Sequence, residues 1–313
     1  MKKKKFGLLE RLYNNKAEGV IRAFDTSSVF TKVLSAFIAA ACIFMLIISL
    51  FPVIWVILSG FKELREIIRV PAILPESFNF SEFFTTWKQL DFGRYYLNSG
   101  IVMLGGVVCA VLFNGLLAYA LGILRPPGHK VVFALVMWSM LIPPTTSIVA
   151  QYVNIRRVVD FFAAGLNVKA QDSLLSVAPL WLIMGANAFW MVLFKNFFEG
   201  IPKEYFEAAQ LDGCSNLKIF RLIILPLSRP IAIVVAIFAA TAAWSDFLLP
   251  NLLLNNGPWE TVMVRLFEFR TAIRVNDADK LRAVVFSIIP PVILFSLFQK
   301  QLTKGISAGG IKG

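Results

Sequence analysis

Charge is scarce in this sequence. Of 313 residues only 16% are Asp, Glu, Lys or Arg, against about 25% in a soluble domain. There is one histidine, His129, and only three cysteines, Cys42, Cys109 and Cys214, far apart and without a CxxC pair. A zinc cluster and a disulfide framework are both excluded on that count, and the thiols read as free and buried. No GxxxxGK[ST] phosphate loop occurs, so the chain is not expected to bind or hydrolyse ATP itself. A membrane enzyme would need a nucleophile–base pair or a metal constellation, and neither is present. Internal repeats and low-complexity tracts are also missing.

What the chain has in excess is apolar surface. It is 58% hydrophobic with 29 phenylalanines, and its mean hydropathy is +0.71. These values point to an integral membrane protein. A spanning helix needs about 20 apolar residues to cross about 30 Å of hydrocarbon. Six runs qualify as candidates: 33–60, 97–124, 131–153, 177–194, 231–254 and 283–298. The fourth carries Asn187 and the sixth the pair Pro290 and Pro291, so kinks are expected there. The first run begins too late and is too long for a signal peptide, and reads as a retained anchor.

The net charge of +12 could signal nucleic acid in a soluble protein, but its placement follows membrane topology instead. With the N-terminus inside, the inner segments hold 18 Lys and Arg against 7 acidic residues, and the outer ones 13 against 11. This is the positive-inside bias, reinforced by Lys2 to Lys5, and it implies contact with anionic lipid rather than nucleic acid. The expected organisation is all-α: an inner N-terminal segment 1–32, a six-span domain 33–303 and an inner tail 304–313.

The longest inner loop, 199–229, reads as two short helices around a glycine. Pro202 suits a first helical turn, and Glu204 complements the helix dipole there. Gly213 suits a left-handed cap, Ser215 can cap the next helix, and Pro226 ends it. Ala208 and Ala209 leave a bare patch that another backbone could approach, with Tyr205, Phe206 and Leu211 as apolar anchors beside it. On physics alone, an amphipathic helix lying on the membrane face explains these residues equally well.

The spacing is more specific. Glu207-Ala208-Ala209, then Gly213, Ile223, Leu225 and Pro226, resembles the EAA loop of ABC importer permeases at every position. The stretch from Trp244 through Asp246 to Pro250 is similar to that family's aromatic–acidic–proline segment. The final residues, Lys304 to Gly313, resemble the end of the MalG-type subunit of carbohydrate importers. The resemblance implies a permease in a prokaryotic inner or plasma membrane, paired with a second, MalF-like permease. It also implies two partner ATPase subunits that bind ATP and Mg, and an extracytoplasmic solute-binding protein. Within that family the loop forms a coupling helix, which makes Glu207, Ala208, Ala209, Asp212, Gly213, Ile223, Leu225 and Pro226 the expected ATPase contact. Gly305, Gly309, Lys312 and Gly313 would supply a second contact from the tail.

Other candidates have two readings each. Asp246 lies within the fifth run, near its outer end. It is either a gate or partner contact or a solvated interfacial charge, since a mid-bilayer carboxylate costs about 2.5–3.5 kcal/mol. Asn114, Asn187 and Trp190 could line a sugar pathway, or the asparagines could serve as interhelical fasteners. Gly105, Gly106 and Gly115 read as close helix packing. The charged stretch 260–282 is either a solvated face or part of a docking platform for the binding protein. A polyol, glycerol phosphate or amino acid permease is the alternative within the family. A stand-alone secondary transporter would need mid-span ion-coupling carboxylates, which are lacking.

Overall fold

The computed structural model describes residues 29–69, 72–169, 173–272 and 275–310, with the backbone alone after residue 301. Among the described residues there are helices and turns but no strand. The chain separates into Met1–Leu58 and Ser59–Gly313.

The first unit is dominated by helix α1, Val29–Gly60, whose last two residues belong to the second unit. Its apolar side chains, such as Phe37, Phe44 and Ile47, are exposed. In water such a surface would be untenable; against lipid tails it needs no cover.

In the second unit, α2 (Leu64–Arg69) and α3 (Phe80–Gln89) lead into α4, Phe92–Tyr119, which a π-helical turn, Ala120–Leu124, extends. Then come α5 (His129–Ser139), α6 (Pro144–Leu166), α7 (Ala178–Gly185) and α8 (Ala188–Glu199). The short helices α9 (Glu204–Leu211) and α10 (Asn216–Ile219) follow, then a second π-helical turn, Phe220–Ile224, and α11 (Leu225–Leu227). Helices α12 (Arg229–Ser245), α13 (Leu248–Leu254), α14 (Val262–Thr271) and α15 (Asp277–Gly310) complete the order.

Among the described residues three helices are long and apolar enough to cross a membrane unaided: Lys32–Gly60, Phe92–Leu124 and Asp277–Gln301. Two bent pairs would make five, α7 with α8 at 46° and Asn216–Leu227 with α12 at 77°. The expected third span is not one rod. Helix α5 ends at Ser139 and α6 begins at Pro144. Pro143 holds an extended backbone, ψ 130°, because a residue before proline is pushed out of the helical region. By contrast α15 runs unbroken across Pro290 and Pro291 and continues through Gly310.

Helix α4 is the centre of the packing. Lipid offers no hydrophobic drive between helices, so close approach depends on small residues. A side chain at Gly105 would overlap the Trp181 indole of α7, and one at Gly106 would lie 2.5 Å from Met184 Sδ. Reciprocally, Gly185 of α7 faces Phe113 of α4. Below this seam Ala110, Ala118, Tyr119, Met191, Phe194, Phe198, Val234 and Val235 form one buried cluster, which also takes in Ala209, Ile219, Phe220 and Ile224 from the 199–229 loop.

The charged stretch 260–282, for which a solvated face was one of two readings, is partly a buried clasp. Arg282 is 3% exposed and pairs with Asp279 at 2.9 Å and Glu82 at 3.1 Å. Its Nε donates to the Gly60 carbonyl, while the Thr86 hydroxyl donates to Asp279. Glu260 is likewise buried. Paired with carboxylates, Arg282 tolerates burial that a lone charge would not, while the Glu260 carboxylate accepts the Asn256 N–H.

Candidate functional site

The 199–229 loop folds around a helix end. Glu204 and Glu207 occupy the first turn of α9, where carboxylates complement the exposed N–H groups. Pro202 sits two residues before the helix rather than in its first turn, and no side chain caps that end. At the other end Gly213 has φ +74°. The Gly213 N–H donates to the Gln210 carbonyl and the Cys214 N–H to the Ala209 carbonyl, both at 3.0 Å. That pair of bonds is a Schellman motif. Ser215 then caps α10 by accepting from the Lys218 N–H.

Pro226 does not end the second helix. The turns run through Leu227, and the chain bends at Ser228. The reason lies just before it: in the π-helical turn the Leu225 N–H reaches the Phe220 carbonyl, five residues back. Proline, which lacks an N–H, therefore falls in the first turn of the α segment that follows, where its missing donor is tolerated.

The two alanines part company. Ala209 is buried in the cluster described above, while Ala208 is exposed. Around Ala208 lies a shallow hollow of about 430 Å³ lined by Glu204, Tyr205, Ala208, Ala209, Asp212 and Ile223. Leu211 is 89% exposed, Tyr205 is exposed, and Phe206 is half-buried against the cluster. Glu207, Asp212 and Gly213 are exposed, as are Leu225 and Pro226, whereas Ile223 is half-buried. The loop thus offers an open face: Ala208, the three acids Glu204, Glu207 and Asp212, and the apolar Tyr205 and Leu211.

A second cleft, about 390 Å³, separates α9 from the end of α4. Its walls include Tyr119, Arg125, Glu199, Lys203, Glu207 and Asn216. Glu199 accepts from Arg125 at 3.1 Å and from Lys195 at 2.9 Å, and Lys195 also lies over the Phe133 ring. Exposed pairs of this kind contribute about 0–1 kcal/mol each. Sequence reasoning counted these residues as topology markers and missed their pairing. It also missed Tyr119, a buried tyrosine at the end of an apolar run, although a buried tyrosine hydroxyl generally has a partner.

The remaining predicted residues lie elsewhere. Asn114 is 1% exposed. Its amide donates to the Ala110 and Met184 carbonyls, and its oxygen accepts the Asn187 N–H. Asn187 in turn caps α8 by accepting from the Trp190 N–H. These two asparagines fasten the break between α7 and α8, and Trp190 is buried in the cluster. Asp246 is not inside a helix: α12 stops at Ser245, and the Asp246 carboxylate accepts from the Leu248 N–H. Gly305 and Gly309 lie on α15; Lys312 and Gly313 lie outside the described residues. Among the described residues no three His, Cys, Asp or Glu side chains come together as a metal site.

Near the 260s, burial pushes the Glu260 carboxyl above the usual glutamate range, helped by the Glu268 charge and opposed by the Asn256 N–H it accepts.

Residues 39–308 match the family described as "binding-protein-dependent transport system inner membrane component". The chain is 27% identical to the diacetylchitobiose uptake system permease protein NgcG of Streptomyces coelicolor, over 84% of each chain. It is 31% identical to the melibiose/raffinose/stachyose import permease protein MelC of Bacillus subtilis, over 77% of this chain and 84% of that one. A crystal structure of a bacterial ABC transporter involved in alginate import contains a chain that superposes with a TM-score of 0.74. That match covers 87% of this chain and 98% of the other at 23% identity, and it establishes a shared fold. The chain is therefore a member of the binding-protein-dependent transport system inner membrane components, a multi-pass membrane permease family.

Proposed function

We propose that this chain is one of two permeases in an ATP-driven importer for a sugar or oligosaccharide, with both termini inside. A second permease completes the pathway, an extracytoplasmic protein delivers the solute, and two ATPase chains hydrolyse ATP. The sugar class rests on relatives named for diacetylchitobiose and for melibiose, raffinose and stachyose. The six spans correspond to α1, α4 with its π turn, the broken α5–α6, the bent α7–α8, α12 and α15.

The observation that carries the coupling role is helix α9 itself. It is closed by a left-handed glycine, anchored by Ala209, and open along Glu204, Ala208, Leu211 and Asp212. A helix held on one face and bare on the other is built to receive a partner. Closing of an ATPase pair on ATP would move α9, and the spans joined through Phe198 and Pro230 would follow. ATP shifts an inward/outward equilibrium only by binding the two states differently, so the dock must be rigid enough to transmit that difference. The second contact is the C-terminal end of α15, from Gly305 onward.

Gentle solubilisation of the native membrane, purification through this subunit and mass spectrometry of its companions test the reading. Recovery of an ATPase and a second permease, with MgATP hydrolysis in the eluate, is the expected result. Recovery of this chain alone refutes it.

A further inference from the structure

The loop is joined to the rest of the unit by more than its covalent ends. Tyr119, the last α-helical residue of α4, is 5% exposed. Its hydroxyl donates to the Asn216 carbonyl at 3.1 Å, and its ring lies 5.1 Å from that of Phe220. The residues in contact sit at the edges of the two π-helical turns: Tyr119 immediately precedes Ala120–Leu124, and Phe220 opens Phe220–Ile224. A π turn widens the helix and leaves its hydrogen bonds less well satisfied than an α turn, and such turns recur where helices carry function. Here one aromatic pair and one hydrogen bond tie the end of α4, where the first π turn starts, to α10 and the start of the second. Leu121, Ile219 and Ile224 belong to the same buried cluster.

The geometry points to Tyr119 as a positioning residue that locks the coupling loop to the end of α4, so that the loop and that span move as one body when the motor closes. This rests on the coupling role proposed above and extends it: motion enters the second span through a side chain, besides passing along the chain into the fourth and fifth. Tyr119 touches no substrate and no nucleotide. It acts through the Asn216 carbonyl and the Phe220 ring.

The test uses the whole complex, with Cys42, Cys109 and Cys214 changed to Ser. Spin labels are placed at Leu124→Cys and Leu217→Cys, both exposed in this chain. Label–label distances are measured without nucleotide and after trapping with MgATP and vanadate. With Tyr119 present the distance distribution is expected to be the same in both states. In Tyr119→Phe, which keeps the ring and loses the hydroxyl, a separated population should rise about fivefold on trapping, as expected for one lost hydrogen bond. The amount of co-purified ATPase should not change.

A Tyr119→Phe complex that keeps the unchanged distribution overturns the inference, even if its melting temperature falls, because the residue is then merely structural. A distance that already changes on trapping with Tyr119 in place overturns it too. Failure to recover any ATPase with the unsubstituted chain instead refutes the coupling role itself, and the inference with it.

Discussion

Gly213 allows a graded test of the α9 turn. Its φ of +74° lies in the left-handed region, where an ordinary residue costs about 1–2 kcal/mol. A Cβ built there meets nothing within 4 Å, so the penalty is conformational and does not depend on side-chain size. Gly213→Asn should cost a few tenths of a kcal/mol and Gly213→Ala about 1 kcal/mol, because asparagine tolerates this region. Gly213→Val should cost more, since β-branching opposes positive φ. Gly213→Pro adds a locked φ near −65° and removes the N–H that donates to Gln210, worth roughly a further 1 kcal/mol. About 1.4 kcal/mol is a tenfold change in population, so the series spans native-like to largely open turns. Hydrogen exchange at the Cys214 amide, which is bonded to Ala209, reads the opening directly. MgATP hydrolysis coupled to solute delivery reads its consequence. Equal losses for Asn and Val, or normal coupling in Gly213→Pro, would refute both the turn energetics and the need for a rigid dock.

Three further outcomes are expected. Gly105→Ala forces a methyl into the Trp181 indole and should destabilise the complex by about 1–3 kcal/mol; Trp181→Leu in the same chain should restore most of its melting temperature. Arg282→Met leaves Asp279, 14% exposed, without its ion-pair partner though still bonded to the Thr86 hydroxyl, and should cost about 1–3 kcal/mol, seen as loss of folded protein from the membrane, with Asp279→Asn added as partial rescue. For Glu260, the raised folded-state carboxyl means the folded chain holds the proton more tightly than the unfolded one. Stability is then lost as pH rises from the unfolded value through the folded one. Glu260→Gln should therefore match the parent in acid and exceed it at pH 8 in thermal melts; a parent that gains on Glu260→Gln as pH rises would contradict this.

The features legible in the sequence were those set by near neighbours. Gly213 and Ser215 act on backbone within five residues, so their spacing alone identified the turn and the cap. Gly105 and Gly106 were readable because small residues within an apolar run have few roles besides close packing. Apolar content, however, says little about where backbone hydrogen bonding fails: a kink was expected in the run that carries Asn187, where α7 gives way to α8, but the break at 140–143 was not visible. Arg282 could be read as part of a solvated face because Glu82 and the Gly60 carbonyl, which help to bury it, lie in distant segments. Tyr119 and Asn216 are 97 residues apart, and no local pattern joins them. Asp246 was placed inside a helix because hydropathy continues past the point where α12 ends.

The joint between α7 and α8 has a further property. Its polar groups are the amides of Asn114 and Asn187 bonded to backbone. Amides do not titrate and carry no charge for counterions to screen or for a transmembrane voltage to pull. The side chains that fasten this bend therefore give pH and ionic strength no charge to act on. The Arg125–Glu199–Lys195 network, near the far end of α8, is open to salt. Ionic conditions can thus loosen one end of the same bent helix while its midpoint keeps its shape.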